Sequence, residues 1–173
     1  MPYVQVKVLN FSDYYYGLTE AALSLGFILV GIYLSTRKAV RYPLLLAWKS
    51  IMITGSLVAL MGAVLWLPLS TDAFFAFFLV IGLLFGGVST AINIPMMTWV
   101  TQIVPTHYQG RIFNIVTTAT QLLIPLGMVT FSIGFDYLPA SLLFLLCGAI
   151  MVGVTAYWPR FYKVNILSNQ LED

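Results

Sequence analysis

The chain has 173 residues, 60% of them hydrophobic and only 8% charged, with a mean hydropathy of +0.93 and a formal charge of +2. A water-soluble domain of that length could not cover so much apolar surface, whereas a bilayer asks for no cover. The slight positive charge gives no footing for nucleic acid, and the single cysteine, Cys147, excludes an internal disulfide and reads as a packing residue.

Residues 1–13 contain no basic stretch followed by an apolar one, so no signal peptide is visible. Residues 3–9 read as the end of a truncated helix, which predicts a piece of a longer protein rather than an intact five-span one. The segment 1–13 is assigned to the extracytoplasmic side, 14–158 to a transmembrane bundle and 159–173 to a cytoplasmic tail. The expected fold is all-α, a polytopic membrane helix bundle.

The first apolar span covers residues 14–36, with Ser12 and Asp13 as its N-cap and first acid. Glu20 lies two turns in, where an ionised carboxylate costs about 2.5–3.5 kcal/mol on insertion scales. Such a group faces protein or water and suits reversible protonation. The stripe Glu20, Ser24, Phe27 and Gly31 predicts that it points inward; the bland alternative is an acid at the outer interface that reaches water.

Pro43 opens the second span, 44–67, and Pro68 with residues 69–72 closes it, leaving Asp72 to cap the third. That third span, 73–102, would be about 45 Å long at about 1.5 Å per residue, more than a bilayer core of about 30 Å. Pro95 offers a kink, a tilt or a projecting end. Thr90 and Asn93 are its inward polar groups. Residues 104–110 are expected as a turn, with His107 in it as a lone imidazole.

The fourth span, 112–135, carries Asn114, Thr118, Gln121, Pro125, Met128 and Ser132 at steps of four, three, four, three and four. That is one helical face, and the opposite side reads Ile115, Leu122, Val129 and Ile133. In a membrane a polar face turns to a water-filled cavity or to a partner helix. Pro139 opens the last hairpin into the fifth span, 141–157. The second and fifth spans are the least polar and are expected at the lipid-facing periphery.

Small residues predict close helix contacts at Gly82, Gly86 and Gly87, at Ala22 and Gly26, and at Ala149 and Gly153. Trp48, Trp66, Trp99 and Trp158 lie near span ends as an aromatic belt, and Lys49 snorkels to the interface. Seven of the eight basic residues, Arg37, Lys38, Arg41, Lys49, Arg111, Arg160 and Lys163, fall on one side of the spans. The positive-inside rule makes that side cytoplasmic, with the C-terminus inside and the N-terminus outside. No P-loop, GxSxG, HExxH or His/Cys/acid cluster occurs, so ATPase, hydrolase and zinc-protease chemistry lack support and no metal or cofactor is expected.

The residues also carry a resemblance. Tyr3-Val4-Gln5, Leu9-Asn10-Phe11-Ser12 and Tyr16-Gly17-Leu18 resemble the end of one helix leading into the next in a transporter lobe. Residues 26–31 followed by Arg37-Lys38 are similar to a helix-to-basic-loop element. Asn93-Ile94-Pro95, then Val104-Pro105-Thr106-His107-Tyr108-Gln109-Gly110-Arg111-Ile112-Phe113, resembles a helix junction of the major facilitator superfamily most closely. The family's loop reads VP, a short polar run and RGR; here Gln109 stands in place of the first Arg, so the full charge network does not carry over. The likeness is to the C-terminal half, helices eight to twelve, of drug and macrolide exporters.

The resemblance implies two lobes, alternating access and proton-coupled antiport. The fragment would serve efflux of hydrophobic or amphipathic small molecules in the cell membrane. Glu20, Asn93, Asn114, Thr118 and Gln121 would line the substrate and proton pathway, with Arg37, Lys38, Gly110 and Arg111 at cytoplasmic gating loops. The implied partners are membrane lipids, a hydrophobic substrate, and a missing N-terminal lobe or another transporter half. The rivals are a non-transporting membrane subunit, an inactive truncated fragment, and an intramembrane enzyme, for which no nucleophile–base pair is visible.

Overall fold

The computed structural model describes residues 4–9, 11–36, 40 and 42–162, with side chains described as far as Tyr157. Arg37, Lys38, Arg41 and Lys163 lie outside the described residues. The chain is all-helical: a wide five-residue turn, Val4–Val8, then α1 (Asp13–Ser35), α2 (Pro43–Val64), α3 (Thr71–Ile103), α4 (Thr106–Tyr137) and α5 (Ala140–Tyr162). Each of the five α-helices is long and apolar enough to cross a membrane.

The helix starts follow local chemistry. Ser12 Oγ accepts from the Tyr15 backbone N–H at 3.4 Å, and Ser70 Oγ accepts from that of Ala73 at 3.3 Å. Ser70, rather than Asp72, therefore caps α3; Asp72 lies in the first turn, where its charge meets the positive end of the helix dipole. Pro43 occupies the first turn of α2, where no amide N–H is needed. The turn expected over residues 104–110 shrinks to Val104 and Pro105. Val104 is extended at ψ 123° and Pro105 at ψ 140°, so the chain reverses there and re-enters helix at Thr106. His107 thus sits in the first turn of α4. Pro95 and Pro125 lie within continuous helices.

Four helices pack in the order α1, α3, α2, α5, and α4 is joined to this row mainly through its hairpin with α5. The α1–α3 seam is parallel: Gly82 lies against Thr19 and Leu23, Gly86 against Leu23 and Phe27, and Thr90 beside Gly31. A Cβ on Gly26 would fall on the Leu83 carbonyl oxygen and 2.9 Å from the Gly87 nitrogen, so only glycine allows this approach. Thr90 Oγ1 has one proton to share between the carbonyls of Gly86 at 3.1 Å and Phe27 at 3.4 Å, a contact that reaches both backbones. Such contacts matter in lipid, where apolar burial alone does not drive association.

The α2–α5 pair is antiparallel. A Cβ on Gly62 would lie 2.5 Å from the Leu145 nitrogen and 2.6 Å from the Ser141 oxygen, while Gly148 abuts Ala59. At the other end the Trp48 indole N–H donates to the Thr155 carbonyl at 2.8 Å. The small pair expected in α5 is corrected: Ala149 and Gly153 are exposed, and nothing lies within 4 Å of a Cβ on Gly153. Gly148, one residue away, faces α2 instead. Nor is α2 peripheral, since it packs on both α3 and α5. A lack of strongly polar side chains after Lys49 signals dryness, and small groups at Ser50, Thr54, Gly55 and Gly62 suit a helix with two protein neighbours.

A core of Val4, Phe11, Leu57, Met61, Phe74, Phe78, Ile81 and Phe144 closes one end of the row. Phe11 meets Tyr15, Phe75 and Phe78 edge-on at centroid distances of 5.9, 6.4 and 6.0 Å, and Tyr15 stacks on Phe75 at 4.3 Å. Pairs of this geometry add about 0.5–1.5 kcal/mol each beyond the area they bury. Tyr15 Oη also donates to Asp72 at 3.3 Å, joining the starts of α1 and α3. The N-terminal turn is thereby fastened onto α1 and α3.

Candidate functional site

The face of α1 against α3 comprises Thr19, Ala22 and Gly26, all buried. Ser24 and the Phe27 side chain are exposed, so of the stripe expected to carry Glu20 inward only Gly31 and the Phe27 backbone meet α3. Glu20 is half-buried at the edge of this seam. It lines a small cavity with Gln5, Thr19, Leu23, Phe78, Ile81 and Gly82.

Two polar side chains of that cavity are deeply buried, Gln5 and Thr19, each 3% exposed. The Thr19 hydroxyl lies 2.8 Å from the Tyr16 carbonyl and 3.2 Å from Gln5 Oε1. No buried side-chain nitrogen or oxygen among the described residues lacks a partner. Burying an amide without partners costs about 1–3 kcal/mol, so the Thr19–Gln5 contact holds the N-terminal turn in place. Gln5 figures in the resemblance but not among the expected pathway residues, because it lies in Val4–Val8, outside every apolar span, as a neutral amide between two valines.

The other expected pathway residues are placed differently. Asn93 is exposed on α3, and its Nδ2 donates to the Ser89 carbonyl one turn back at 2.8 Å. Asn114, Thr118 and Gln121 are exposed on α4. So is the helix's apolar side, with Ile115 at 68% and Leu122 at 66% exposure. No residue of α4 is buried. The structure brings Glu20 together with Gln5 and Thr19, and it does not bring Glu20 or Asn93 together with the α4 face.

At its far end α4 meets α5 through Phe135 and Phe144, with centroids 5.9 Å apart. At its start, Gln109 Nε2 donates to the Thr101 and Val104 carbonyls, each at 2.9 Å. These are carbonyls that the end of α3 leaves without helical partners. Gln109 thus clasps the α3–α4 junction, a role the sequence reading missed because it treated the residue as a lost arginine. Gly110 and Arg111 follow it and are exposed. Among the described residues no group of three or more His, Cys, Asp or Glu could hold a metal.

No family model and no solved structure matches the chain. One curated protein is similar to it: an uncharacterized MFS-type transporter, YfiS, of Bacillus subtilis (strain 168), 36% identical over 78 residues. The match takes in 45% of this chain and 18% of the relative, so it concerns a small part of a much longer protein. Together with the five spanning-capable helices, this similarity supports a multi-pass membrane chain akin to a fragment of a major facilitator transporter.

Proposed function

We propose that the chain is part of a secondary active transporter that exports hydrophobic or amphipathic small molecules, macrolide-like drugs among them, by proton-coupled antiport in the cell membrane. One observation carries this reading: α4 presents a polar face from Asn114 to Ser132 and an apolar face opposite it, and neither is covered. A helix of that build inside a bilayer calls for a water-filled pathway on its polar side and a further protein or lipid surface on the other. A second lobe docked beside α4 would enclose the pathway, with Asn114, Thr118 and Gln121 on its wall and Asn93 alongside. Glu20 would exchange the coupling proton, and Arg37, Lys38, Gly110 and Arg111 would form cytoplasmic gating loops with the C-terminus inside. The similarity to an MFS-type transporter supports the same reading.

The test begins with the DNA upstream of the first codon, where an in-frame continuation encoding further spans is expected. The extended protein is then expressed with and without Glu20→Gln, and export of a hydrophobic fluorescent dye is followed across a pH range. Loss or uncoupling of export in Glu20→Gln is the expected result. Export with unchanged pH dependence removes Glu20 from the mechanism, and no export from the extended wild type rejects the transporter reading.

A further inference from the structure

Where α2 stops and the α4–α5 hairpin turns, the helices leave a larger hollow than the one beside Glu20. Its volume is about 340 Å³, within the range of small-molecule sites, about 300–1,000 Å³. Val8 of the N-terminal turn, Leu65 just past α2, and Phe135, Leu138 and Pro139 of the hairpin wall it with apolar surface. Ser141, in the first turn of α5, belongs to the same wall. The hollow lies at the ends of α2, α4 and α5, the depth at which a bilayer passes from hydrocarbon to polar groups.

Ser141 is the polar feature of this wall. Hydroxyls within the spans turn back on their own helix: those of Thr54, Ser56, Thr120 and Thr155 each donate to the carbonyl four residues earlier. Ser141, second in α5, has no carbonyl of its own helix behind it to take its proton. The residue is only 8% exposed, yet its hydroxyl makes no hydrogen bond to a described residue. Among the described residues no sealed-in side-chain oxygen lacks a partner, so the unbonded Ser141 Oγ reaches open space, and the hollow is the space it borders. The helix start adds to its pull. Leu143 N–H bonds the Pro139 carbonyl at 3.1 Å, and Pro139 brings no side-chain acceptor. The amides of Ala140, Ser141 and Leu142 come before that bond, and the positive end of the helix dipole lies at this wall.

Among the described residues no charged side chain lines the hollow. The charged neighbours of its lining in sequence are Lys7, beside Val8, and Asp136, beside Phe135, and they are opposite in sign. The last turn of α4 also brings its carbonyls to this hairpin, which disfavours an anion. The balance calls for a neutral ligand, and the donors of α5 call for an acceptor. We propose that the hollow binds a neutral, mainly apolar molecule that presents a carbonyl oxygen, as an ester, lactone or ketone does, to the Ser141 hydroxyl. Ser141 Oγ–H donates to that oxygen, and the apolar body lies against Val8, Leu65 and Phe135. Such a carbonyl belongs either to a free compound or to the glycerol ester of a membrane lipid. The site is built within this chain and needs neither a second lobe nor transport.

Benzophenone serves as the probe, a neutral apolar ketone that under ultraviolet light bonds to nearby C–H groups. The full chain in lipid nanodiscs is irradiated with it, and the adducts are located by mass spectrometry. Saturable adducts on Val8, Leu65 or residues 135–141 are expected. Coumarin, a lactone, should compete for them, and diphenylmethane, which lacks the carbonyl, should not. Ser141→Ala should lower these adducts about threefold or more, and Ser56→Ala, whose hydroxyl is already engaged by Met52, should leave them unchanged. Where Ser141→Ala does not fold, Leu65→Trp, which fills the hollow and keeps the hydroxyl, is held to the same threshold. Adducts spread along the exposed helix faces, or Ser141→Ala labelling equal to wild type, overturn the proposal. Discs of ether-linked lipids, which carry no ester carbonyl, separate the two sources. Adducts that rise there assign the site to a lipid ester, and adducts that stay level assign it to a free compound. Labelling is read whether or not the chain exports anything, so failed export leaves this result standing, and failed labelling leaves the transport reading untouched.

Discussion

Gly86→Ala puts the α1–α3 seam to its most direct test. The added Cβ would fall on the Leu23 carbonyl oxygen and 3.1 Å from the Phe27 nitrogen, whereas ordinary contacts of this kind begin at 3.4 Å. Both obstacles are backbone atoms, so no side chain can swing aside and the two helices must part. Overpacking of this sort costs about 1–3 kcal/mol. Against it stands the helix-propensity gain of alanine over glycine, about 0.8–1.0 kcal/mol. The net expectation is a loss between about zero and 2 kcal/mol, at most roughly a thirtyfold shift in the folding equilibrium. Gly153→Ala is the matched comparison: nothing lies within 4 Å of its new Cβ, so only the propensity term remains and stability should rise. Reversible unfolding in mixed micelles with increasing SDS, followed by tryptophan fluorescence, measures both variants. The seam argument is refuted if the two substitutions change stability in the same direction.

Three further outcomes are expected. Trp48→Phe removes the indole N–H that reaches the Thr155 carbonyl; by the same unfolding assay it should cost about 0.6–2 kcal/mol, while Trp66→Phe, at a site 62% exposed, should cost almost nothing. Gln109→Leu strips two hydrogen bonds from the end of α3 and should speed amide hydrogen exchange between residues 101 and 108 at least tenfold, whereas Gln109→Arg keeps donors there and should exchange more slowly than the leucine variant. Phe78→Ala, emptying a site only 2% exposed in the aromatic core, should lower stability by about 3–5 kcal/mol, and retention of wild-type stability would mean that this end of the row is not packed as described.

Five spanning helices were legible from composition and apolar length alone, because a backbone that must satisfy its own hydrogen bonds in lipid has few alternatives to a helix. Ser12 and Pro43 marked helix starts for local reasons, and Gly26, Gly82 and Gly86 announced a close seam by their spacing. The candidate site was legible only in part. Glu20 stood out as a carboxyl in an apolar run, and the Asn114–Ser132 face stood out by its period, since both are properties of a single segment.

What covers those segments is a property of several at once, and only the tertiary structure decided it. Packing register chose Gly148 over Gly153, placed α2 between two neighbours, and left α4 uncovered. It also brought Gln5 from the N-terminal turn to Thr19, fourteen positions away, across a junction no periodicity reports. A one-residue change in register turns a helix surface by about 100° at 3.6 residues per turn, so a pattern that reliably names a face cannot name what lies against it.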